Sequence, residues 1–126
     1  MARVVHFEVH AENPERAVRF YEQAFGWRFN HIAAIDYWTI QTGEGPGIDG
    51  GLLRRRGPAP AEGQPVHSFV CTLGVENLDA ATEAALSAGA KIAVPRMAIP
   101  NVGHVAYLID TEGNIFGVYQ DDPAAA

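Results

Sequence analysis

The chain has 126 residues, of which 48% are hydrophobic and 19% are charged, a composition typical of a globular domain. Its formal net charge of −6 argues against nucleic acid or an anionic membrane as a partner, because both attract clustered Lys and Arg. The single cysteine, Cys71, excludes an internal disulfide, and no segment has the length and apolarity of a signal peptide or membrane span, so we expect a cytoplasmic protein.

The chain begins with a predicted strand that has two different faces. Apolar and polar side chains alternate over residues 4–10, and the apolar face of Val5, Phe7 and Val9 is expected to pack against a helix. His6 and Glu8 fall on the opposite, polar face, which is where we expect the function to be. An asparagine-proline pair and a later glycine then predict a capped amphipathic helix over 14–25.

The same order of signals occurs a second time. The helix start at Glu12-Asn13 has a counterpart at Glu76-Asn77, 64 residues later, and the glycine stop at Gly26 recurs as Gly89. The apolar face of the first strand also has an apolar counterpart at the same offset. Cys71 belongs to that second apolar face and is therefore predicted to be a small core residue.

The repeat predicts one domain over 1–126 that is built from two modules of β-α-β-β-β order. The first module covers about 3–56 and the second about 66–120, joined by a Pro- and Gly-rich linker at 57–65 and followed by a frayed tail at 121–126. The predicted helices are 14–25 and 78–88, and the predicted strands are 3–10, 27–33, 36–42, 50–55, 66–74, 91–97, 104–110 and 114–120.

Short motifs in both modules carry a family resemblance. They are His6, Phe7-Glu8, Ala17–Tyr21, Phe25–Trp27, Pro95–Met97 and Asp110–Gln120. Together they resemble the vicinal oxygen chelate superfamily, which includes glyoxalase I, bleomycin-resistance proteins and extradiol dioxygenases, and within it the small single-domain glyoxalase-like proteins. The resemblance implies an α+β fold of two paired βαβββ modules that form a U-shaped mixed sheet around a cavity, with the helices on the outer face. It also implies a homodimer.

The resemblance locates the positions at which catalytic relatives hold a divalent metal. Those relatives place ligands on the first and last strands of each module, and the metal acts as a Lewis acid toward two substrate oxygens. The corresponding positions here are His6, Val70, Gly51 and Gly117, and only the histidine is a metal ligand. We therefore expect no complete metal site and no cofactor.

Other residues of the polar face are candidates for a site of a different kind. Glycines at two former ligand positions predict room for a ligand or another backbone. His6 and Glu8 are candidate catalytic residues, as a general base and its partner, although a buried His6 satisfied by a neighbour is the simpler reading. A displaced metal site that adds His104 to this pair is a further alternative. The predicted ligand-binding residues are His6, Glu8, Tyr37, Trp38, Gly51, His104, Gly117 and Tyr119.

These observations favour a protein similar to glyoxalases and bleomycin-resistance proteins that binds a small organic ligand in its cavity without the usual metal site. The acidic charge suits a cationic ligand. The alternative is a lyase, isomerase or dioxygenase, metal-dependent or metal-free, that uses His6 and Glu8. A third possibility is a dimerising structural or regulatory module whose cavity has collapsed.

Overall fold

The computed structural model describes all residues from Met1 to Ala126, and the chain divides into two compact units. One unit is His6–Phe69, and the other consists of Met1–Val5 together with Val70–Ala126. No helix has the length and apolarity needed to cross a membrane. The elements in chain order are β1 Arg3–Ala11, α1 Pro14–Phe25, β2 Arg28–Ile32, a short 3-10 helix Ala33–Ile35, β3 Tyr37–Gln41, β4 Gly50–Arg54, β5 Val70–Gly74, α2 Leu78–Ser87, β6 Lys91–Ile99, β7 Gly103–Ile109 and β8 Ile115–Asp121.

Both units have the same strand order. In the unit His6–Phe69 the order is β2-β3-β4-β1, where β1 and β4 are parallel and the other neighbours are antiparallel. In the other unit the order is β6-β7-β8-β5, where β5 and β8 are the parallel pair. Each unit therefore repeats the β-α-β-β-β module, and the predicted α+β fold class is confirmed.

Both helices begin at the asparagines that the sequence indicates. The Asn13 side chain accepts a hydrogen bond from the Arg16 N–H at 3.1 Å, and Asn77 accepts one from the Ala80 N–H at 3.0 Å. These bonds satisfy amide groups that the first turn of a helix leaves without an intrahelical partner. At the end of α1, Gly26 has φ +71 and its N–H donates to the Glu22 carbonyl at 3.0 Å, so glycine supplies the left-handed conformation of the helix stop.

The core of each unit forms where apolar strand residues face the helix. In the unit His6–Phe69, Phe7 and Val9 on β1 pack with Trp38, Ile40 and Leu52, and side chains from α1 cover them. Phe7 and Val9 thus point toward the helix, as the alternation predicts, and His6 and Glu8 take the other face. Val5, the third residue of the predicted apolar face, is 46% exposed and is not part of this core. The second core consists of Leu78, Ala106, Leu108 and Val118.

Two predictions about β5 are wrong. The strand begins at Val70 and not at residue 66, and residues 55–69 form no helix or strand. Cys71 is exposed, whereas its neighbours Val70 and Thr72 are buried. The Thr72 side chain packs against Gly117, its partner on β8, so the even-numbered face of this strand is the buried one.

The predicted frayed tail is also wrong. β8 extends to Asp121, and the Asp122 N–H donates to the Val102 carbonyl at 2.9 Å. The Asn101 N–H then donates to the Ala125 carbonyl at 2.9 Å, and Ala125 itself is 5% exposed. Backbone hydrogen bonds to the turn before β7 therefore hold the end of the chain in place.

Candidate functional site

The polar face of β1 in the unit His6–Phe69 carries a hydrogen-bonded cluster of three side chains. The His6 Nε2 atom lies 3.0 Å from the Tyr37 hydroxyl oxygen, and that hydroxyl donates to the Glu8 Oε2 atom at 3.0 Å. Glu8 is 6% exposed and His6 is half-buried. We call these three residues the polar triad. A buried carboxyl group is costly unless it is hydrogen-bonded, and Tyr37 supplies such a bond.

Strand register explains why Tyr37 reaches this position. Glu8 on β1 is paired with Gly51 on β4, and Gly51 is paired with Thr39 on β3. Tyr37 lies two residues before Thr39 and is thus a diagonal neighbour of Gly51, within reach of a long aromatic side chain. Its ring crosses over the glycine to the side chains of β1. A Cβ atom at residue 51 would overlap the Tyr37 hydroxyl group, so only glycine admits this arrangement.

Both glycine positions that were expected to leave room for a ligand are filled by the protein itself. Tyr37 fills the space above Gly51, and the Thr72 Oγ1 atom lies 2.6 Å from where a Cβ atom of residue 117 would be. Thr72 occupies the same position in its module that Glu8 occupies in the first, 64 residues earlier. The prediction that these glycines leave room for a ligand or another backbone is therefore wrong, because the side chains of Tyr37 and Thr72 occupy that space.

The charge state of His6 follows from its surroundings. Burial lowers the pKa of His6 below its usual 6.5, and the negative charges of Glu8 and Asp49 oppose this effect without cancelling it. The imidazole is therefore neutral at pH 7. A neutral imidazole carries one N–H donor and one acceptor lone pair, so it can hydrogen-bond a ligand or accept a proton.

Of the remaining predicted site residues, Trp38 belongs to the same unit as the polar triad but is not part of it. Trp38 faces the other side of β3, where it is 5% exposed in the core and stacks on His31 at a centroid distance of 4.0 Å. His104 belongs to the other unit, and its Nε2 atom lies 3.0 Å from Asp122 Oδ2. Tyr119 and Gly117 also belong to that unit.

Tyr119 borders an open groove in the unit that contains the second module. The groove has a volume of about 790 Å³ and is also lined by Arg3, Val75, Glu76 and Asp121. The Tyr119 hydroxyl lies 3.0 Å from the Val102 carbonyl oxygen and 2.9 Å from Asp121 Oδ1. Burial and the Asp121 carboxylate both raise the pKa of Tyr119, so it stays protonated and acts as a neutral hydrogen-bonding group.

The donor set does not fit a divalent metal of the kind that the resemblance implies. Val70 has no donor atom, and the positions of Gly51 and Gly117 are occupied by Tyr37 and Thr72 side chains. Nowhere in the chain do three or more His, Cys, Asp or Glu side chains converge as a metal site requires.

Comparison with known proteins decides the family. The sequence model of the Glyoxalase/Bleomycin resistance protein/Dioxygenase superfamily matches residues 3–118. The chain belongs to this superfamily. A glyoxylase-like domain-containing protein of Didymella fabae is 30% identical over 117 residues, which cover 88% of each protein. CFP32 of Mycobacterium bovis, whose name marks it only as a candidate glyoxylase, is 29% identical over 119 residues. That match covers 92% of this chain, which spans less than half (43%) of the length of CFP32.

Two solved structures share the fold. Methylmalonyl-CoA epimerase from Mycobacterium tuberculosis has a TM-score of 0.68 at 14% identity, with 95% of this chain and 88% of that chain covered. A glyoxalase/bleomycin resistance protein/dioxygenase superfamily member from Vibrio splendidus has a TM-score of 0.61 at 14% identity, covering 97% of this chain and 100% of the other. At such identity the likeness concerns the fold and not the chemistry.

The hydrogen bonds of Tyr37 were not predicted from the sequence. It indicated an aromatic residue of the cavity wall, whereas the hydroxyl group bonds to both His6 and Glu8. The signal in the sequence is a pair of residues, Tyr37 on β3 and Gly51 on β4. To predict that they meet, one needs the pairing register of β3 with β4, and the irregular connection between these strands does not determine it.

Proposed function

We propose that this chain binds a small organic ligand at the polar triad and does so without the metal site of its catalytic relatives. The single observation that carries the proposal is the Tyr37 hydroxyl, which lies between His6 and Glu8 and takes the space above Gly51. A hydroxyl group that forms hydrogen bonds thus lies above Gly51, one of the four positions at which the resemblance implies a metal ligand. Such a face recognises polar groups of a ligand directly.

The wider superfamily supports an organic ligand. One solved structure of methylmalonyl-CoA epimerase holds methylmalonyl-CoA and NH4+. It has a TM-score of 0.68 to this chain at 14% identity. That protein holds an organic molecule on a scaffold of the same fold. For the present chain, sequestration of a ligand, as in bleomycin-resistance proteins, is the use that the polar triad supports best.

A second candidate function is metal-free proton transfer. The observation in its favour is His6, which is neutral at pH 7 because burial lowers its pKa. A neutral imidazole linked to a carboxyl group through Tyr37 is a suitable general base. Of the lyase, isomerase and dioxygenase alternatives, proton abstraction in a lyase or isomerase reaction is the chemistry that these side chains can perform by themselves.

The test is a thermal-shift screen of the wild-type protein against cationic antibiotics and aromatic metabolites. A compound that binds the folded state raises the melting temperature. We expect a binder whose effect disappears in His6→Ala and persists in the matched control His67→Ala, which alters an exposed histidine outside any helix or strand. If His6→Ala keeps full affinity for every compound found, the polar triad is not the binding site.

A further inference from the structure

The hydrogen bonds of the polar triad determine where the proton of the His6 ring lies. The Tyr37 hydroxyl has one proton, and it donates that proton to Glu8 Oε2 at 3.0 Å. An ionised carboxylate only accepts hydrogen bonds, so this direction cannot be reversed while Glu8 is charged. The 3.0 Å contact between His6 Nε2 and the Tyr37 oxygen must then use a proton on Nε2.

We infer that Tyr37 is a positioning residue, which holds His6 in the Nε2–H tautomer and leaves the Nδ1 lone pair as the acceptor for a donor group of the ligand. This inference rests on the proposed function, because it describes how the same site recognises what it binds. Tyr37 acts through His6 and Glu8. Its hydroxyl group is already committed to these two neighbours and is not assigned a ligand contact.

The charges around His6 indicate the chemical class of the ligand. Glu8 on the same strand and Asp49 before β4 both act on His6 with negative charge. Of the three consecutive arginines that start at the end of β4, Arg54 bonds to Asp36 at 3.2 Å, Arg55 donates to the His10 carbonyl at 2.8 Å, and Arg56 is exposed beyond the strand. Two carboxylates and an acceptor nitrogen favour a ligand with N–H donors and positive charge, such as a protonated amine.

The experiment uses the full chain labelled with 15N-histidine, in which the His6 signals are assigned by comparison with His6→Ala. At pH 7 we expect a pyrrole-like 15N shift for Nε2 and a pyridine-like shift for Nδ1. Benzylammonium and benzoate, which have similar shapes and opposite charges, are then added as probes. We expect benzylammonium to move the Nδ1 signal in a saturable manner and benzoate to leave it unchanged.

The variant Tyr37→Phe removes only the hydroxyl group. We expect it to shift both His6 ring signals and to weaken benzylammonium binding several-fold. Tyr21→Phe is the matched control, because Tyr21 lies on α1 with its ring stacked on Trp27. A purely structural role of Tyr37 would change stability and leave the tautomer as it was.

Three results would overturn the inference. One is an Nδ1–H tautomer or an imidazolium ion in the wild-type protein at pH 7. Another is binding of benzoate at His6 as strong as that of benzylammonium. The third is a His6 ring that neither probe perturbs at millimolar concentration. All three leave the proposed function standing if the screen yields a binder whose effect depends on His6, so the two failures are distinguishable.

Discussion

Tyr37 links the polar side chains of the β1 face into one hydrogen-bonded cluster. The sequence alone places His6 and Glu8 on one face, because alternation in a strand has a period of two and the neighbouring apolar residues fix its phase. Their connection through a third side chain depends on the pairing of β3 with β4. Tyr37 is close to His6 and Glu8 in space but about 30 residues away in sequence. The sequence therefore predicts that His6 and Glu8 share a face, but it does not predict that Tyr37 joins them.

The close fit of Tyr37 against Gly51 predicts a specific mutational coupling. Gly51→Ala should lower the free energy of unfolding by about 1–3 kcal/mol, the usual cost of overpacking, because its Cβ atom overlaps the tyrosine hydroxyl. In a Tyr37→Ala background the same substitution should cost much less. Urea unfolding of the four proteins in this double-mutant cycle measures the coupling. Equal costs in both backgrounds would show that the two residues do not compete for space.

Protonation of His6 predicts a dependence of stability on pH. The folded pKa of His6 lies below 6.5, so the unfolded chain binds this proton more readily. Stability from this group is complete above pH 6.5 and falls as the pH decreases through the interval between 6.5 and the folded pKa. The lowered pKa values of Asp36, Asp110 and Asp122 act in a more acidic range, below their usual 3.8.

Urea unfolding at pH 7.5 and pH 5.5 measures the His6 effect. We expect wild-type protein to lose more stability between these conditions than His6→Gln does. His67→Gln is the control for replacement of an exposed histidine and should behave like wild type. An equal loss in wild type and His6→Gln would contradict the burial of the His6 ring.

Among the elements, those with local capping signals were predicted most accurately. The observed range of α1 is the predicted one, because Asn13 and Gly26 mark its two ends by hydrogen bonds within a few residues. β5 and the chain end were predicted poorly, since their positions depend on contacts with distant segments. Ala125 is fixed by Asn101, and no local pattern in an alanine-rich tail announces such a bond.

A side chain of β8 also hydrogen-bonds to the start of α2, in addition to the Asn77 cap. The Gln120 Oε1 atom on β8 accepts a hydrogen bond from the Leu78 N–H at 2.8 Å, and Leu78 is fully buried. Gln120→Ala leaves that amide without its acceptor, so we expect a loss of about 1–2 kcal/mol in the free energy of unfolding. Gln23→Ala, at an exposed position of α1, should cause no loss in the same urea titration. A Gln120→Ala variant as stable as wild type would show that this hydrogen bond does not stabilise the start of α2.

For the molecule as a whole, the sequence predicts a duplicated module. Repeated caps, glycine stops and apolar faces specify the same βαβββ order twice, and the elements of the structure follow this order. The homodimer and the cytoplasmic location stay predictions. At two positions where the resemblance implies metal ligands the chain has glycines, Gly51 and Gly117, and Tyr37 and Thr72 fill the space above them.

The absence of a complete metal site is tested most directly by the metal content of protein purified without chelators. Since only one of the four family positions carries a metal-binding side chain, we expect well under one equivalent of any transition metal per chain by elemental mass spectrometry. His6→Ala should contain the same small amount. One equivalent of zinc, nickel, manganese or iron in the wild-type protein, lost in His6→Ala, would contradict the claim that hydrogen-bonding side chains have replaced the metal here.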